Sequence, residues 1–293
     1  MTVVAATSSS ATISWSAPDT GGLPTSYTIR ATTRSGSVVS SPDIAAPATT
    51  GVIEGLIPGE VYWFTVLATN QTATSEPSSR STPAIPPFRD VDGFVHRQFD
   101  DFIGDRPAAD VGHWVTTLKA GLASGSDLVN ELSQAPEWEP YIDPATRLYL
   151  AYFDRIPDTG GIHHWMRALR TGTSLQRVSE HFAASEEFLT TYGAVDDREF
   201  ATLVYRNVMG RSPDAAGLAH WVDKLANGVP RPQIVTQFSE SPEHRDLRAT
   251  VVRRVNISVA MLGRVPTARE ISTGERTMKG MTAQVLGSSG YRR

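Results

Sequence analysis

The chain has 293 residues, a formal net charge of −4, 40% hydrophobic and 20% charged side chains, and no cysteine. That is enough apolar material for two domain cores and too much for wholesale disorder, while the negative charge offers no general attraction for nucleic acid or anionic membranes. Without cysteine there are no disulfides, thiolate nucleophiles or Cys-type zinc sites.

No run of about 18 apolar residues offers a bilayer span, so membrane insertion is not expected. Met1-Thr-Val-Val-Ala-Ala lacks the basic start and apolar core of a signal peptide, so an exported protein would be represented here by a mature form, a fragment or another export route.

Residues 1–82 alternate polar and apolar side chains in short runs such as Ala11-Thr12-Ile13-Ser14-Trp15 and Tyr27-Thr28-Ile29-Arg30, the pattern of half-buried strands. Turn chemistry separates them at Pro18-Asp19-Thr20-Gly21-Gly22, Arg34-Ser35-Gly36-Ser37 and Ile57-Pro58-Gly59-Glu60. Several strands at that spacing imply a sandwich. Trp15, Tyr27 and the run Leu56-Ile57-Pro58-Gly59-Glu60-Val61-Tyr62, leading into Trp63-Phe64-Thr65-Val66, resemble a fibronectin type III domain.

The resemblance implies an all-β immunoglobulin-like sandwich in which Tyr62 closes a corner by bonding to backbone and Trp15, with Tyr27 and Leu56, builds the core. The first strand is short for that family, so the chain is expected to begin within a longer protein. Residues 83–89, opening Pro83-Ala84-Ile85-Pro86-Pro87, read as a stiff proline-rich linker.

From residue 90 to 293 the apolar period becomes helical, as in Phe94, Val95 and Phe99 or Leu148, Tyr149, Tyr152 and Phe153. A unit recurs. Arg106-Pro107 precedes His113-Trp114; Arg155 and Pro157 precede His164-Trp165; Arg211 and Pro213 precede His220-Trp221; Arg264 and Pro266 open a fourth copy that has lost its tryptophan. These copies divide at about 90–142, 143–195, 196–247 and 248–293, an all-α array of about four three-helix repeats whose neighbours bury each other's apolar faces.

The third copy shows the grammar. Phe200, Leu203, Val204, Tyr205 and Val208 form a helix that Gly210 stops; Ser212-Pro213-Asp214 offers a capping hydroxyl, a proline for the first turn and an acid against the helix dipole. Ser241-Pro242-Glu243 is a second such start. Residues 203–221 above all resemble a bacterial family called domain of unknown function 4214. That resemblance implies an all-helical module of secreted and surface-associated proteins with no established enzymatic activity.

The recurring His-Trp pair invites a site assignment. Trp221 shares an apolar face with Leu218 and Leu225, so Trp114, Trp165 and Trp221 are read as core, which leaves His113, His164 and His220 at the edge of that face as candidate ligand contacts. One histidine per repeat makes no coordination sphere. Sugar-stacking platforms then fall to aromatics expected outside the core: Trp138, Tyr141 and Tyr291.

No nucleophile elbow, phosphate-binding loop or His-Glu-x-x-His spacing occurs. The nearest approach to a calcium loop, Asp196-Asp197-Arg198-Glu199, reads as acids at a helix start, so no cofactor is assigned. Arg106, Arg155, Arg211 and Arg264 sit between helix end and turn, where a guanidinium can bond carbonyls or the turn's acid. The expectation is a non-catalytic extracellular or cell-surface protein whose repeats present weak sites to a glycan, a cell-envelope component or protein partners including itself. The alternatives are a subunit of a surface layer, filament or phage-tail-like assembly, and an accessory region of a secreted polysaccharide hydrolase.

Overall fold

The computed structural model describes residues 1–104, 108–193 and 195–291. Arg106 and Pro107 of the first repeat turn lie outside the described residues. Strands β1 (Thr2–Ala6) and β2 (Ser10–Ser14) form one antiparallel sheet in the order β1-β2-β6 with β6 (Thr50–Glu54); in the other, β3 (Ser26–Thr32) pairs with β4 (Val38–Ser40), β5 (Ile44–Ala45) and β7 (Trp63–Thr69). Alternate residues face inward, so Ala11 and Ile13 meet Tyr27, Ile29, Ile53, Phe64 and Val66 in one core.

Trp15 lies in that core with its ring centroid 5.3 Å from that of Tyr27. The Tyr62 hydroxyl accepts from Ile57 N at 3.1 Å, closing the expected corner.

The far edge of β7 is covered by an irregular ribbon. Ser75, Ser78 and Ser81 donate their backbone N–H groups to the carbonyls of Ala68, Val66 and Phe64 at 2.8–3.0 Å. Their hydroxyl oxygens accept from the N–H groups of the same three strand residues at 3.0–3.1 Å. Each serine thus presents a donor and a side-chain acceptor where a paired strand would present two main-chain groups. Three ribbon residues match two strand residues, so the ribbon puckers outward between serines and leaves no open row of strand groups to template another chain.

The helices are α1 (Val91–Phe102), α2 (Ala108–Lys119), α3 (Gly125–Ser133), α4 (Glu139–Phe153), α5 (Thr159–Arg170), α6 (Leu175–Ala183), α7 (Glu186–Tyr192), α8 (Asp197–Met209), α9 (Ala215–Ala226), α10 (Arg231–Ser239), α11 (Pro242–Leu262), α12 (Ala268–Thr273) and α13 (Met278–Leu286). Gly210 ends α8 in the left-handed conformation at φ 65°, as its position suggests, and Ser241 caps α11 with Pro242 in the first turn. The start of α9 differs from expectation. Its cap is Asp214, whose carboxylate accepts from Gly217 N at 2.8 Å, and Ser212 and Pro213 precede the helix. A carboxylate reaches the amide as well as a hydroxyl does and adds its charge to the dipole term.

Two compact units result, and they do not follow the linear division into sandwich, linker and array. One is Met1–Gln134 with Gly274–Arg293; the other is Ala135–Thr273. In the first, the segment read as a linker is packed: Ala84, Ile85, Pro86 and Pro87 are buried. Gly59, at φ +81°, turns the corner loop so that its N–H donates to Pro86 O at 2.7 Å while its carbonyl accepts from Gly125 N at the start of α3. In the second unit α4 packs on α8 and α6 on α10, pairing repeats two and three through their first and third helices. α11 runs unbroken through the repeat boundary drawn at 247–248.

Replacing Ser81 by alanine leaves Phe64 N–H buried with no side-chain acceptor. The expected loss is about 1–3 kcal/mol in urea denaturation, against a few tenths for Ser79→Ala in the same ribbon. Equal effects at both positions would remove the ladder's role.

Candidate functional site

The recurring residues of the array turn out to hold it together. Asp158 caps α5 through Gly161 N as Asp214 caps α9, both at 2.8 Å. Pro157 and Pro213 each stand directly before the capping acid, and Pro266 directly before Thr267, which forms a reciprocal pair with Glu270. A side chain at Gly161 would run into the Tyr149 hydroxyl, which is why that helix start needs glycine.

Arg155 lies 5.3 Å from the Tyr149 ring centroid and grips Glu187 with two bonds of 2.8 Å; Arg211 lies 5.2 Å from Tyr205 and reaches Glu243 at 3.2 Å. Arg264, with Ser258 at the corresponding tyrosine position, instead takes Glu270 and holds that carboxyl down at about 2. The clamps of Arg155, Arg211 and Arg264 fix helix-end turns.

The tryptophans also divide as core. Trp114 is buried and donates to Glu131 at 3.0 Å, while Trp165 and Trp221 are partly buried against the common core of repeats two and three. His113, His164 and His220 are exposed, each edge-on to its neighbouring tryptophan with centroids 6.2, 4.7 and 5.0 Å apart. Among the described residues no three His, Cys, Asp or Glu side chains gather where they could hold a metal ion. Asp196 caps α8 and Asp197 pairs with Arg231 at 2.8 Å.

Two proposed stacking platforms are corrected by the structure. Trp138 is 6% exposed and donates its Nε1–H to Asn256 Oδ1 at 2.7 Å; Tyr291 is 7% exposed and accepts from Gln98 Nε2 at 2.8 Å. Both rings are anchors, because each finds a polar partner that lets its hydroxyl or indole N–H enter the interior. Tyr141 is half-buried and, with Trp138, flanks the Arg170 guanidinium at 5.3 and 5.5 Å. The buried rings of Trp138 and Tyr291 offer no open face of the kind a sugar stacks on.

Behind Trp138 runs a buried polar chain. Asn256 donates to Asp143 at 2.8 Å, and Arg147, 4% exposed, forms a bidentate pair with Glu240 at 2.7 and 2.9 Å. Arg147 stands 3.9 Å from Asp143, too far to offset desolvation, and burial pushes the Asp143 carboxyl up to about 6. His244, fully buried, bonds Val208 O through Nδ1 and leaves Nε2 without a partner; burial, with Arg248 and Arg147 nearby, holds its pKa below the usual imidazole range.

An open groove lies at the loop end of the sandwich. The groove, of about 230 Å³, lies between residues 18–24 and the β7 hairpin, lined by Pro18, Gly22, Pro24, Ala68, Asn70 and Ala73 among others. Asn70 fixes its shape: Oδ1 accepts from Thr72 N and Ala73 N, while Nδ2 donates to Gly21 O at 3.0 Å across the groove. Leu23, on the loop between Gly22 and Pro24, is 92% exposed. No titratable side chain lines the groove, so it suits contact with a neutral apolar surface and supplies no acid or base. The sequence signal was a leucine in a Gly-Gly-Leu-Pro loop, a place where turn chemistry alone calls for no apolar residue.

Residues 1–84 match the family model for the Fibronectin type III domain, and residues 179–247 match Domain of unknown function (DUF4214). The chain therefore carries an N-terminal fibronectin type III domain followed by a DUF4214 region, in the order and with the fold class expected. A solved structure of the twitchin kinase region from C. elegans is similar at 28% identity over 29% of this chain, with a TM-score of 0.27; the chain spans 15% of that protein's length.

Asp143 binds in the folded state, between pH about 4 and about 6, a proton that the unfolded chain has already lost, so its contribution to stability falls as pH rises through that window. Asp143→Asn keeps an acceptor for Asn256 and removes the slope. Its stability relative to the parent should rise by on the order of 2 kcal/mol between pH 4 and pH 7 in thermal or urea melts. A difference that stays flat with pH would contradict the assignment.

Proposed function

We propose that this chain is a non-catalytic binding and scaffold protein that captures a polypeptide partner at the loop end of its sandwich. The observation that carries the reading is the fully displayed Leu23 beside an uncharged, proline-walled groove. An apolar anchor next to a preformed cleft is the arrangement that concentrates binding energy at protein interfaces. A fibronectin type III domain suggests a binding or scaffold role, and the match supports this reading in that coarse sense.

An extracellular or cell-surface setting belongs to the proposal and rests on the family resemblances. Among the described residues no helix is long and apolar enough to cross a membrane. The helical region serves in this reading as rigid support, since its repeated residues go to caps, clamps and core. A glycan ligand is the weaker reading because Trp138 and Tyr291, its expected platforms, are buried.

The test is a peptide-display selection and a glycan array run in parallel on the intact chain and on Leu23→Asp. Peptides held by the parent should bind Leu23→Asp at least about tenfold more weakly, a loss of about 1.4 kcal/mol. Glycan binding that survives Leu23→Asp but is lost on His220→Ala would overturn the proposal in favour of a repeat-borne sugar site.

A further inference from the structure

After the third helix of each repeat the same place is held by Trp138, Phe188, His244 and Tyr291, all buried. Among these four side chains only the imidazole changes charge between about pH 5 and about pH 8. His244 is the third residue of α11 and is fully buried. Its Nδ1 lies 2.9 Å from Val208 O in the last turn of α8. A carbonyl can only accept, so Nδ1 carries the proton and Nε2 is the bare nitrogen of a neutral ring. The backbone N–H of His244 donates to the capping Ser241 Oγ at 3.3 Å. The residue that fastens α11 to α8 is therefore also the residue that takes the cap of α11.

α11 packs on α4, α8 and α10, and Nε2 finds no hydrogen-bond partner among the described residues. α4 brings Arg147 and, at its end, Asp154; α10 ends at Glu240; α11 itself adds Arg248 one turn on; α8 presents the Asn207 and Val208 carbonyls. The carboxylates are committed elsewhere. Both Glu240 oxygens accept from Arg147, at 2.7 and 2.9 Å, and Asp154 accepts at 3.2 Å from Arg248, which also donates to Asn207 O at 2.7 Å. An imidazolium here would carry a second N–H with no acceptor and face two guanidiniums. It would also sit in the first turn of α11, at the helix end that favours anions. Burial, with Arg248 and Arg147, outweighs the Val208 carbonyl and Glu240, so the seated ring stays neutral below its usual range.

We propose that His244 is an acid-released latch, which holds the first turn of α11 on the end of α8 while its ring is neutral and frees that turn when the ring is protonated. Release breaks the Ser241 cap and carries away Glu243, the acid that Arg211 reaches at 3.2 Å, so the turn at 210–214 loosens with it. A freed imidazole takes up its proton near pH 6.5, roughly, whereas the seated one resists to lower pH. The latch is thus complete above that value and is lost as pH falls below it. Repeat two has the same cap, Phe188 N–H donating to Ser185 Oγ at 3.2 Å, but a phenyl ring in the seat, and stays closed.

The test is hydrogen exchange of the intact chain, followed by mass spectrometry at about pH 7.5 and about pH 4.5 with rates corrected for chemical exchange. Peptides covering 242–248 and 208–214 should lose about tenfold in protection at the lower pH, while the helix start at Ser185–Phe188 keeps its own. His244→Phe, which places the side chain of repeat two in this seat, should abolish the loss. Asp143 titrates in the same unit with the opposite sign in both proteins, so the difference between them reports His244. Equal losses in the parent and in His244→Phe, or unchanged protection in the parent, overturn the proposal. If His244→Phe does not fold, the imidazole proton resonances of the parent decide: His244 titrating in step with the loss of protection upholds the latch, and His244 titrating without that loss overturns it.

Discussion

A backbone amide withdrawn from water must find an acceptor, and this chain repeatedly supplies one from a short polar side chain. Asp158, Asp214, Ser185 and Ser241 do so at helix starts; Ser75, Ser78 and Ser81 do so along a sheet edge. Ser41 does the same at β3, accepting from Ile29 N at 2.9 Å. The device works because a side-chain oxygen one or two bonds from the main chain takes up little room, so a turn can be short and still leave nothing orphaned. Short turns in turn let one repeat's helices lie close enough to share a core with the next.

That constraint explains what could be read from the sequence. Local signals survived folding: the corner tyrosine Tyr62, the stop at Gly210, the start at Ser241-Pro242, and the face carrying Trp221 with Leu225. Each depends on neighbours within a few residues. The misreadings of the aromatic side chains concern partners far away. Trp138 and Tyr291 look like exposed aromatics until Asn256 and Gln98, 118 and 193 positions distant, are brought to their polar atoms. No periodicity carries that information. The serine ribbon was legible in principle, as serine at every third position, but a period of three matches neither strand nor helix and so reads as loop.

The division of labour between the two kinds of module follows. In the array, most of the recurring residues cap, clamp and pack, so recurrence identifies the fold, while the recurring His113, His164 and His220 stand exposed. The clamps at Arg155 and Arg211 are largely exposed pairs, of modest energy individually, yet each also covers a tyrosine ring and fixes the direction in which the next helix leaves. The sandwich has its non-structural residue in a loop, where Leu23 has no core to join. A rigid scaffold with a displayed loop residue is how binding surfaces are commonly organised.

The four copies also differ at one position that each seat reads differently. Trp138, Phe188, His244 and Tyr291 follow the third helix of successive repeats, and all four are buried. Their partners differ: Asn256 for the indole, the Tyr152 and Phe200 rings for Phe188, Val208 O for His244, and Gln98 with Asp101 for the phenol. Placing any of these side chains in another's seat would leave a polar atom unpaired or a ring unpacked, at a cost larger than the packing gained. Identical repeats could pair in several registers. Anchors of four different chemistries, each with its own seat inside its unit, let near-copies be told apart.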